Sequence, residues 1–150
     1  MIGISIAKAL AQSFPDSAIK VLEAERRLGV HASGRNSGVL HAGFYYSTDS
    51  LKAKFCRLGC QAWTEFSLER NIPLLQCGKL VTARDESEVE YLYELYEQGQ
   101  INGVKLELLS REDALKMEPT LNGVGEVIHS PTTCVMDIDV ALQTLKDSLP

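Results

Sequence analysis

The sequence predicts an α/β fold with an α+β portion, and two features of the chain support this prediction. The first is a helix with apolar residues at helical spacing from Ile4 to Phe14, followed by a β-rich segment over residues 18–23. The second is a mixed series of short strands and helices from about Cys77 onward. The first pattern is typical of a parallel sheet, and the second favours an antiparallel sheet in a further domain.

The composition is that of a globular protein about one domain in size. The chain has 150 residues, of which 45% are hydrophobic and 23% are charged. Fifteen Lys and Arg against 20 Asp and Glu give a net charge of −5, which speaks against a nucleic-acid-binding protein. No apolar run approaches the roughly 20 residues that a membrane-spanning helix needs.

The four cysteines indicate reduced thiols rather than a disulfide framework. Their spacing is irregular and no secretory signal precedes them, which predicts a cytoplasmic compartment. Cys56 and Cys60 lie one turn apart on a predicted helix, but no two further ligands are evident near them. We interpret them as buried thiols, and the sequence predicts no metal site.

The N-terminal helix and the segment after it fit the second half of a dinucleotide-binding βαβ unit. In that unit a glycine-rich turn opens the helix, and an acid about 20 residues later binds the ribose hydroxyls. Gly3 fits the last glycine, which lets the helix pack close to the sheet, and Glu23 fits the acid. The first strand and two glycines of the motif have no counterpart, so we expect a Rossmann-like domain lacking its first strand. An ordinary helix followed by a strand is the alternative.

Residues 29–43 form a glycine-rich segment that predicts a cofactor-binding surface. Four glycines, two serines and two histidines fall within these 15 residues. Such a segment presents backbone N–H groups and small hydroxyls, which suit a pyrophosphate and a flat ring at close approach. A flexible surface loop is the alternative, but Val39 and Leu40 are too apolar for a solvated linker.

Five segments carry motifs of one known family: 21–25 (VLEAE), 31–46 (HASGRNSGVLHAGFYY), 50–56 (SLKAKFC), 77–80 (CGKL) and 130–133 (SPTT), the last leading to Asp137. Together they resemble the D-amino-acid-oxidase-type FAD-dependent oxidoreductases, and within them most closely the L-2-hydroxyglutarate oxidase/dehydrogenase branch. The resemblance covers nearly the whole chain but only the front portion of a family member. It therefore implies a sequence truncated at both ends, and we expect the chain alone to be inactive.

The resemblance implies a division of the chain and a reaction. It implies a partial FAD-binding domain over residues 1–75, the beginning of a substrate-binding domain over 76–136, and a helix leading back to the FAD domain over 137–150. The implied reaction is hydride transfer to FAD from a small 2-hydroxy acid, foremost L-2-hydroxyglutarate, giving 2-oxoglutarate. Peripheral association with the inner membrane, near an electron acceptor, is also implied, in the mitochondrion if the source is eukaryotic. Alternatives are oxidation of an amine or of glycerol phosphate, or a non-catalytic remnant.

The resemblance also assigns cofactor contacts residue by residue. Ile2 and Gly3 are expected at the ADP pyrophosphate, and Glu23 at the adenosine ribose with Ala24 beside it. Ala32 and Ser33 are expected to approach the pyrophosphate, and Ser37, Gly38 and Val39 the flavin ring. In some relatives a histidine near position 31 carries the flavin covalently, but a hydrogen bond to a loop carbonyl explains His31 equally well.

Oxidation of a 2-hydroxy acid requires a base for the hydroxyl proton and cations for the carboxylates. Of the three histidines, His41 follows the predicted flavin-ring segment directly and is the candidate base. A structural histidine is the alternative for His41. Arg35 and Lys79 are candidate carboxylate partners, with solvated surface charge as their alternative.

The remaining elements are predicted from capping residues and apolar spacing. Thr48 or Asp49 caps a helix with an apolar face of Leu51, Phe55, Leu58, Ala62 and Phe66. A helix over 86–98 buries Val89, Leu92, Tyr93 and Tyr96, with Gly99 as its stop. Strands are expected over 79–83, 106–109 and 125–129, a capping box at Ser110, and a last helix from Asp137 or Asp139 to Leu145.

Overall fold

The computed structural model describes residues 1–149 and contains both helices and strands. The helices are α1 (Ile2–Ser13), α2 (Leu51–Glu69), α3 (Val89–Ile101), α4 (Arg111–Met117) and α5 (Ile138–Asp147), with a 3₁₀ turn at Glu86–Glu88. The strands are β1 (Val39–Leu40), β2 (Leu74–Leu75), β3 (Leu80–Ala83), β4 (Glu107–Leu109), β5 (Val124–His129) and β6 (Cys134–Met136). The described part of the chain has no helix that is long and apolar enough to cross a membrane.

The chain divides into two compact units. Unit 1 comprises residues 1–39, 65–74 and 135–149, and unit 2 comprises residues 40–64 and 75–134. A short three-stranded sheet has the order β1-β6-β2, and a second has the order β3-β5-β4. The division into domains at residues 75 and 136 stays a prediction.

Unit 2 is built around the sheet β3-β5-β4, whose strand pairs are antiparallel as predicted. In this sheet Leu80 and Glu107 both pair with His129 at the end of β5. Val127 and Ile128 of β5 are fully buried, and Ile128 belongs to a core that also contains Leu92 and Leu95 of α3. The apolar face of α3 therefore covers the sheet and contributes to the core of this unit.

Gly99 does not stop α3, contrary to the sequence prediction. The helix continues to Ile101, and Gly103, with φ of 69°, follows its end. Gly99 is buried instead, and a Cβ atom there would overlap the Leu106 side chain and approach the Cβ atom of Phe44 to 3.0 Å. A glycine at this position lets α3 approach the core closely, which outweighs its low helix propensity.

The strand predicted over residues 18–23 is not formed. The segment has no regular structure, and Val21 and Leu22 are 44% and 86% exposed. A strand needs a neighbour that accepts and donates its backbone hydrogen bonds, and neither sheet of the described residues includes this segment. Its β-rich composition alone is insufficient to fix a strand.

The buried face of α2 also differs from the prediction. Ser50 is the cap, because its Oγ accepts the Ala53 N–H at 3.1 Å, and neither Thr48 nor Asp49 takes this role. Ala53 and Cys60 are buried, whereas Leu51 and Phe55 of the predicted apolar face are 68% and 62% exposed. The helix packs against the backbone at Gly43, where a Cβ atom would lie 3.2 Å from the Ala53 carbonyl oxygen. A side chain at position 43 would therefore crowd α2, and glycine there permits the close approach.

The remaining local predictions agree with the structure in most respects. Ile4 and Ala7 are buried on α1, which ends at Ser13 before Pro15. Ser110 Oγ accepts the Asp113 N–H at 3.1 Å and caps α4, and Asp137 Oδ1 accepts the Val140 N–H at 3.0 Å and caps α5. Tyr93 is not in the core, since its hydroxyl donates to Glu126 Oε2 at 2.7 Å on the surface.

Candidate cofactor and substrate sites

A cleft of about 280 Å³ in unit 1 lies at the start of α1 and brings together residues from three segments of the chain. Of the nine predicted cofactor residues, Gly3, Glu23, Ala32 and Ser33 line this cleft. Ile2, Ala24, Ser37, Gly38 and Val39 are not among its lining residues. The cleft thus combines the predicted pyrophosphate-binding and ribose-binding residues, although they are up to 30 positions apart in the sequence.

The N-terminus of α1 provides the electrostatics of this cleft. The first intrahelical hydrogen bond runs from the Ser5 N–H to the Met1 carbonyl at 3.1 Å, so the preceding amides donate to no helix carbonyl. Unpaired amides and the helix dipole together favour an anion at this end. The backbone nitrogen of Met1 lies 3.2 Å from Ser33 Oγ, which joins the start of α1 to the glycine-rich segment.

Gly3 lies in open space at this end of α1. A Cβ atom at Gly3 would meet no heavy atom within 4 Å. The expectation that this glycine lets the helix pack close to a sheet is therefore not fulfilled among the described residues. The open space at Gly3 instead leaves the helix amides accessible, which fits a ligand that approaches the backbone closely.

Glu23 lies exposed across the cleft from the helix terminus. Its Oε1 accepts the Glu25 N–H at 3.0 Å, which fixes the carboxylate relative to the backbone. The carboxylate of Glu25 in turn lies 2.7 Å from His31 Nε2, so His31 bonds to a side chain rather than to a loop carbonyl. These contacts tie segments 21–25 and 31–33 together along the cleft.

Asn36 is a structural residue of the glycine-rich segment that the sequence analysis missed. Its Nδ2 donates to the carbonyls of Ala32 (3.1 Å) and Ser33 (3.0 Å), and its Oδ1 accepts the Gly38 N–H at 2.9 Å. Asparagine between glycines is a known turn signal, which the sequence does contain. These three bonds fix the segment that carries Ala32, Ser33 and Gly38.

Gly38 is held in place by a backbone hydrogen bond and does not line the cleft at α1. Its φ is 70°, in the left-handed region, and its carbonyl accepts the Met136 N–H at 3.0 Å. Ser37 is exposed beside it, and Val39 begins β1. The structure thus does not bring these three residues to the cleft at α1, and their placement at a flavin ring stays a prediction.

A second cleft in unit 1, of about 520 Å³, shares Glu23 and Glu25 with the first. It is lined by basic residues Arg26, Arg27 and Lys146 together with Asp139. Arg26 and Arg27 were not predicted as site residues, although two adjacent arginines three and four positions after the predicted ribose acid are visible in the sequence. They place positive charge beside the candidate ribose site.

His41 lies in unit 2, directly after β1, and its side chain is exposed. The pKa of His41 is lowered, first by partial burial and then by the positive charge of Lys79. A neutral imidazole is the form that accepts a proton, so this shift favours His41 as a base near pH 7.

Two of the four thiols are structural, whereas Cys77 is exposed and Cys56 is only half-buried, contrary to its predicted burial. Cys60 and Cys134 are buried, and burial raises the pKa of each, so both stay protonated. Within residues 1–149 no group of three or more His, Cys, Asp or Glu side chains is arranged to hold a metal ion.

Comparison with known proteins decides the family. The sequence model of the FAD dependent oxidoreductases (DAO) matches residues 1–149. The chain belongs to this family. Both the predicted family and its cofactor, FAD, are thereby confirmed.

The chain is similar to several L-2-hydroxyglutarate dehydrogenases. The human mitochondrial enzyme is 42% identical over 149 residues, covering 98% of this chain and 32% of its own length. The enzyme of Escherichia coli strain K12 is 36% identical over 146 residues, covering 97% of this chain and 35% of its own length. The chain thus spans about a third of the length of these relatives, as the resemblance implied.

Solved structures confirm the fold. The FAD-bound L-α-glycerophosphate oxidase of Mycoplasma pneumoniae has a TM-score of 0.83 and 29% identity, covering 97% of this chain and 38% of its own. The L-proline dehydrogenase of P. horikoshii has a TM-score of 0.82 at 23% identity, covering 97% of this chain and 38% of its own. The Rossmann-like fold class predicted from the sequence is that of these flavoenzymes.

Proposed function

We propose that this chain forms the FAD-binding portion, and the beginning of the substrate-binding portion, of an enzyme that oxidises a 2-hydroxy acid. The proposed substrate is L-2-hydroxyglutarate and the product 2-oxoglutarate. The observation that carries the proposal is the cleft at α1, which combines an anion-binding helix terminus with Gly3, Glu23, Ala32 and Ser33. The identities of 36% to 42% to L-2-hydroxyglutarate dehydrogenases support this substrate.

The residues of the cleft suit the ADP half of FAD. The amides at the start of α1 donate to pyrophosphate oxygens, and the open space at Gly3 permits the close approach that these bonds need. The Glu23 carboxylate accepts hydrogen bonds from ribose hydroxyls, with Ile2 and Ala24 flanking the contact residues. Ala32 and Ser33 complete the pyrophosphate side, and Ser37, Gly38 and Val39 meet the flavin ring.

The chemistry assigned to this chain's own residues is proton transfer and binding. FAD, when bound, accepts the hydride from the carbinol carbon of the substrate. His41 accepts the hydroxyl proton, and its lowered pKa keeps the imidazole neutral and competent as a base. Loss of that proton concentrates negative charge on the substrate oxygen, which favours departure of the hydride.

The proposal extends to location and electron acceptor. The named relatives include mitochondrial enzymes, so we place a eukaryotic protein in the mitochondrion and a bacterial one in the cytoplasm. Peripheral association with the inner membrane would bring the reduced flavin to an electron acceptor.

A hybrid enzyme tests the substrate assignment. In it, this chain replaces the matched segment of the E. coli K12 relative, which corresponds to 35% of that protein. We expect L-2-hydroxyglutarate to bleach the flavin under anaerobic conditions at least about 100-fold faster than its D-enantiomer, glycerol 3-phosphate or L-proline. His41→Asn in the same hybrid is expected to slow bleaching by about 10²–10⁴-fold without loss of flavin.

The similarity to a glycerophosphate oxidase at 29% identity makes glycerol 3-phosphate the second candidate substrate. Faster bleaching by glycerol 3-phosphate than by L-2-hydroxyglutarate would replace the proposed substrate with this one. The unmodified host enzyme, assayed beside the hybrid, shows whether a weak rate originates from the exchanged segment.

A further inference from the structure

We propose that Lys79 binds a carboxylate of the 2-hydroxy acid, with its ammonium held on the ring of Tyr45. The inference rests on the proposed function and deepens it by naming the residue that selects an acid as substrate. Lys79, Tyr45 and the candidate base His41 all belong to unit 2. Three features of that unit support the inference: the fixed backbone of Lys79, the anchored ring beneath its ammonium, and the effect of its charge on His41.

The backbone of Lys79 is fixed on both sides. Its N–H donates to the Ser130 carbonyl at 3.1 Å, and the Ser130 N–H donates to the Lys79 carbonyl at 2.8 Å. The preceding Gly78 N–H donates to the Thr133 carbonyl at 3.0 Å. Ser130 and Thr133 are buried, so the start of β3, from which the Lys79 side chain extends, is anchored to the interior.

The ring beneath the ammonium is anchored as well. Lys79 Nζ lies 4.4 Å from the centroid of the Tyr45 ring, within the range of a cation–π contact. The Tyr45 ring lies 4.0 Å from the ring of Phe44, which is only 1% exposed. Gln98 Nε2 donates to the Phe44 carbonyl at 3.0 Å, and Asn102 Nδ2 donates to the Tyr46 carbonyl at 2.9 Å. The backbone on either side of Tyr45 is therefore held by α3 and the turn that follows it.

Within residues 1–149, Lys79 has no ion pair with a carboxylate, unlike Lys105 and Lys116, which pair with acids near them. The Tyr45 ring occupies one side of the ammonium and accepts none of its protons in a conventional hydrogen bond. An ammonium has three donors, so Lys79 retains the capacity to bind an external carboxylate. A cation that is already ordered loses little side-chain entropy on binding.

The neighbouring base explains why a carboxylate is the fitting ligand. In a 2-hydroxy acid the hydroxyl and a carboxylate are attached to the same carbon, so a base and a cation must lie close together. Partial burial lowers the pKa of the His41 imidazole, and the positive charge of Lys79 lowers it further. One cation thus binds the acid and helps to keep the base neutral.

Titration of the chain with L-2-hydroxyglutarate, followed by NMR of the histidine and lysine side chains, tests the inference directly. We expect saturable shifts of the His41 and Lys79 resonances in the wild-type chain and in Lys79→Arg. In Lys79→Met the affinity should fall about 10- to 100-fold, the loss of one charge-assisted bond. A pH titration should also show a higher His41 pKa in Lys79→Met, because the repelling charge is gone.

Lys52 provides a matched control. Its Nζ lies 4.2 Å from the Tyr46 ring centroid, which is the same type of contact at another tyrosine. Lys52→Met should leave the carboxylate affinity and the His41 pKa as they are in the wild type. Unchanged affinity and an unmoved His41 pKa in Lys79→Met, or absence of any carboxylate-dependent shift in the wild-type chain, would overturn the inference.

Kinetics of the hybrid separate this inference from the proposed function. If both the proposed function and the role of Lys79 are right, Lys79→Met raises KM for L-2-hydroxyglutarate about 10- to 100-fold. The change in kcat is expected to be smaller than the change in KM. A hybrid that oxidises L-2-hydroxyglutarate with the same KM after Lys79→Met refutes the inference alone. A hybrid that oxidises no 2-hydroxy acid, while the chain still binds carboxylates through Lys79, refutes the function alone.

Discussion

Replacing Glu23 with alanine is expected to weaken FAD binding by about 10- to 100-fold, the loss of one or two charge-assisted hydrogen bonds to the ribose. Glu23 lines the cleft at α1, and its side chain is exposed, so no core packing is lost with it. We expect the melting temperature without FAD to change little. FAD titration of the hybrid enzyme, by quenching of flavin fluorescence, gives both affinities.

Asp16→Ala is the matched control for Glu23, because Asp16 is an exposed acid of the same unit outside the cleft. Glu23→Gln should fall between the wild type and Glu23→Ala, because the amide keeps one acceptor but loses the charge. Equal FAD affinity of Glu23→Ala and the wild type would make Glu23 an ordinary surface carboxylate and remove it from the site.

Gly38→Ala is expected to lower the free energy of unfolding by about 2–4 kcal/mol, from left-handed strain and from displacement of the backbone. The φ of Gly38 is 70°, and a Cβ atom there would overlap the Met136 carbonyl oxygen. If this overlap pushes the two segments apart, the 3.0 Å hydrogen bond from the Met136 N–H to the Gly38 carbonyl lengthens as well. Urea unfolding of the chain, followed by circular dichroism, measures the change.

Gly59→Ala is the control for Gly38→Ala. Gly59 lies inside α2, and a Cβ atom there would meet nothing within 4 Å. Alanine at this position is expected to leave stability unchanged or to raise it by up to about 1 kcal/mol, through helix propensity. Equal stability of Gly38→Ala and the wild type would show that β1 and β6 are not held together at Gly38 as described.

The sequence predicted the elements whose causes are local. The caps at Ser110 and Asp137 each depend on one side chain and one amide three residues later, so the local pattern was sufficient. The end of α1 before Pro15 was predictable for the same reason.

The elements that were predicted wrongly depend on contacts distant in sequence. Whether residues 18–23 form a strand depends on a hydrogen-bonded neighbour, and composition does not reveal one. Which face of α2 is buried depends on tertiary packing, which buries Ala53 and leaves Phe55 at the surface. Gly99 was wrongly predicted to end the helix. Its role is to admit the Leu106 side chain, and that tertiary contact is not visible in the sequence.

The residues of the candidate site also divide into those that a local pattern predicts and those that depend on contacts distant in sequence. Gly3 and Glu23 were found because a motif fixes their spacing, and the structure places both at one cleft. Asn36 orders the glycine-rich segment through three hydrogen bonds, and the turn signal that it provides in the sequence does not show which groups it bonds. Likewise, the contact between Lys79 and Tyr45 joins residues 34 positions apart, which no local pattern contains.

The central claim is that the cleft at α1 binds FAD. The most direct test is the purification of the hybrid enzyme in the presence of equal concentrations of FAD and NAD, followed by identification of the bound nucleotide. We expect a yellow protein with one FAD per chain and no retained NAD, and a marked loss of FAD in Glu23→Ala. A colourless hybrid that takes up no FAD and retains NAD, while the host enzyme prepared in parallel is yellow, would show that the cleft does not bind FAD.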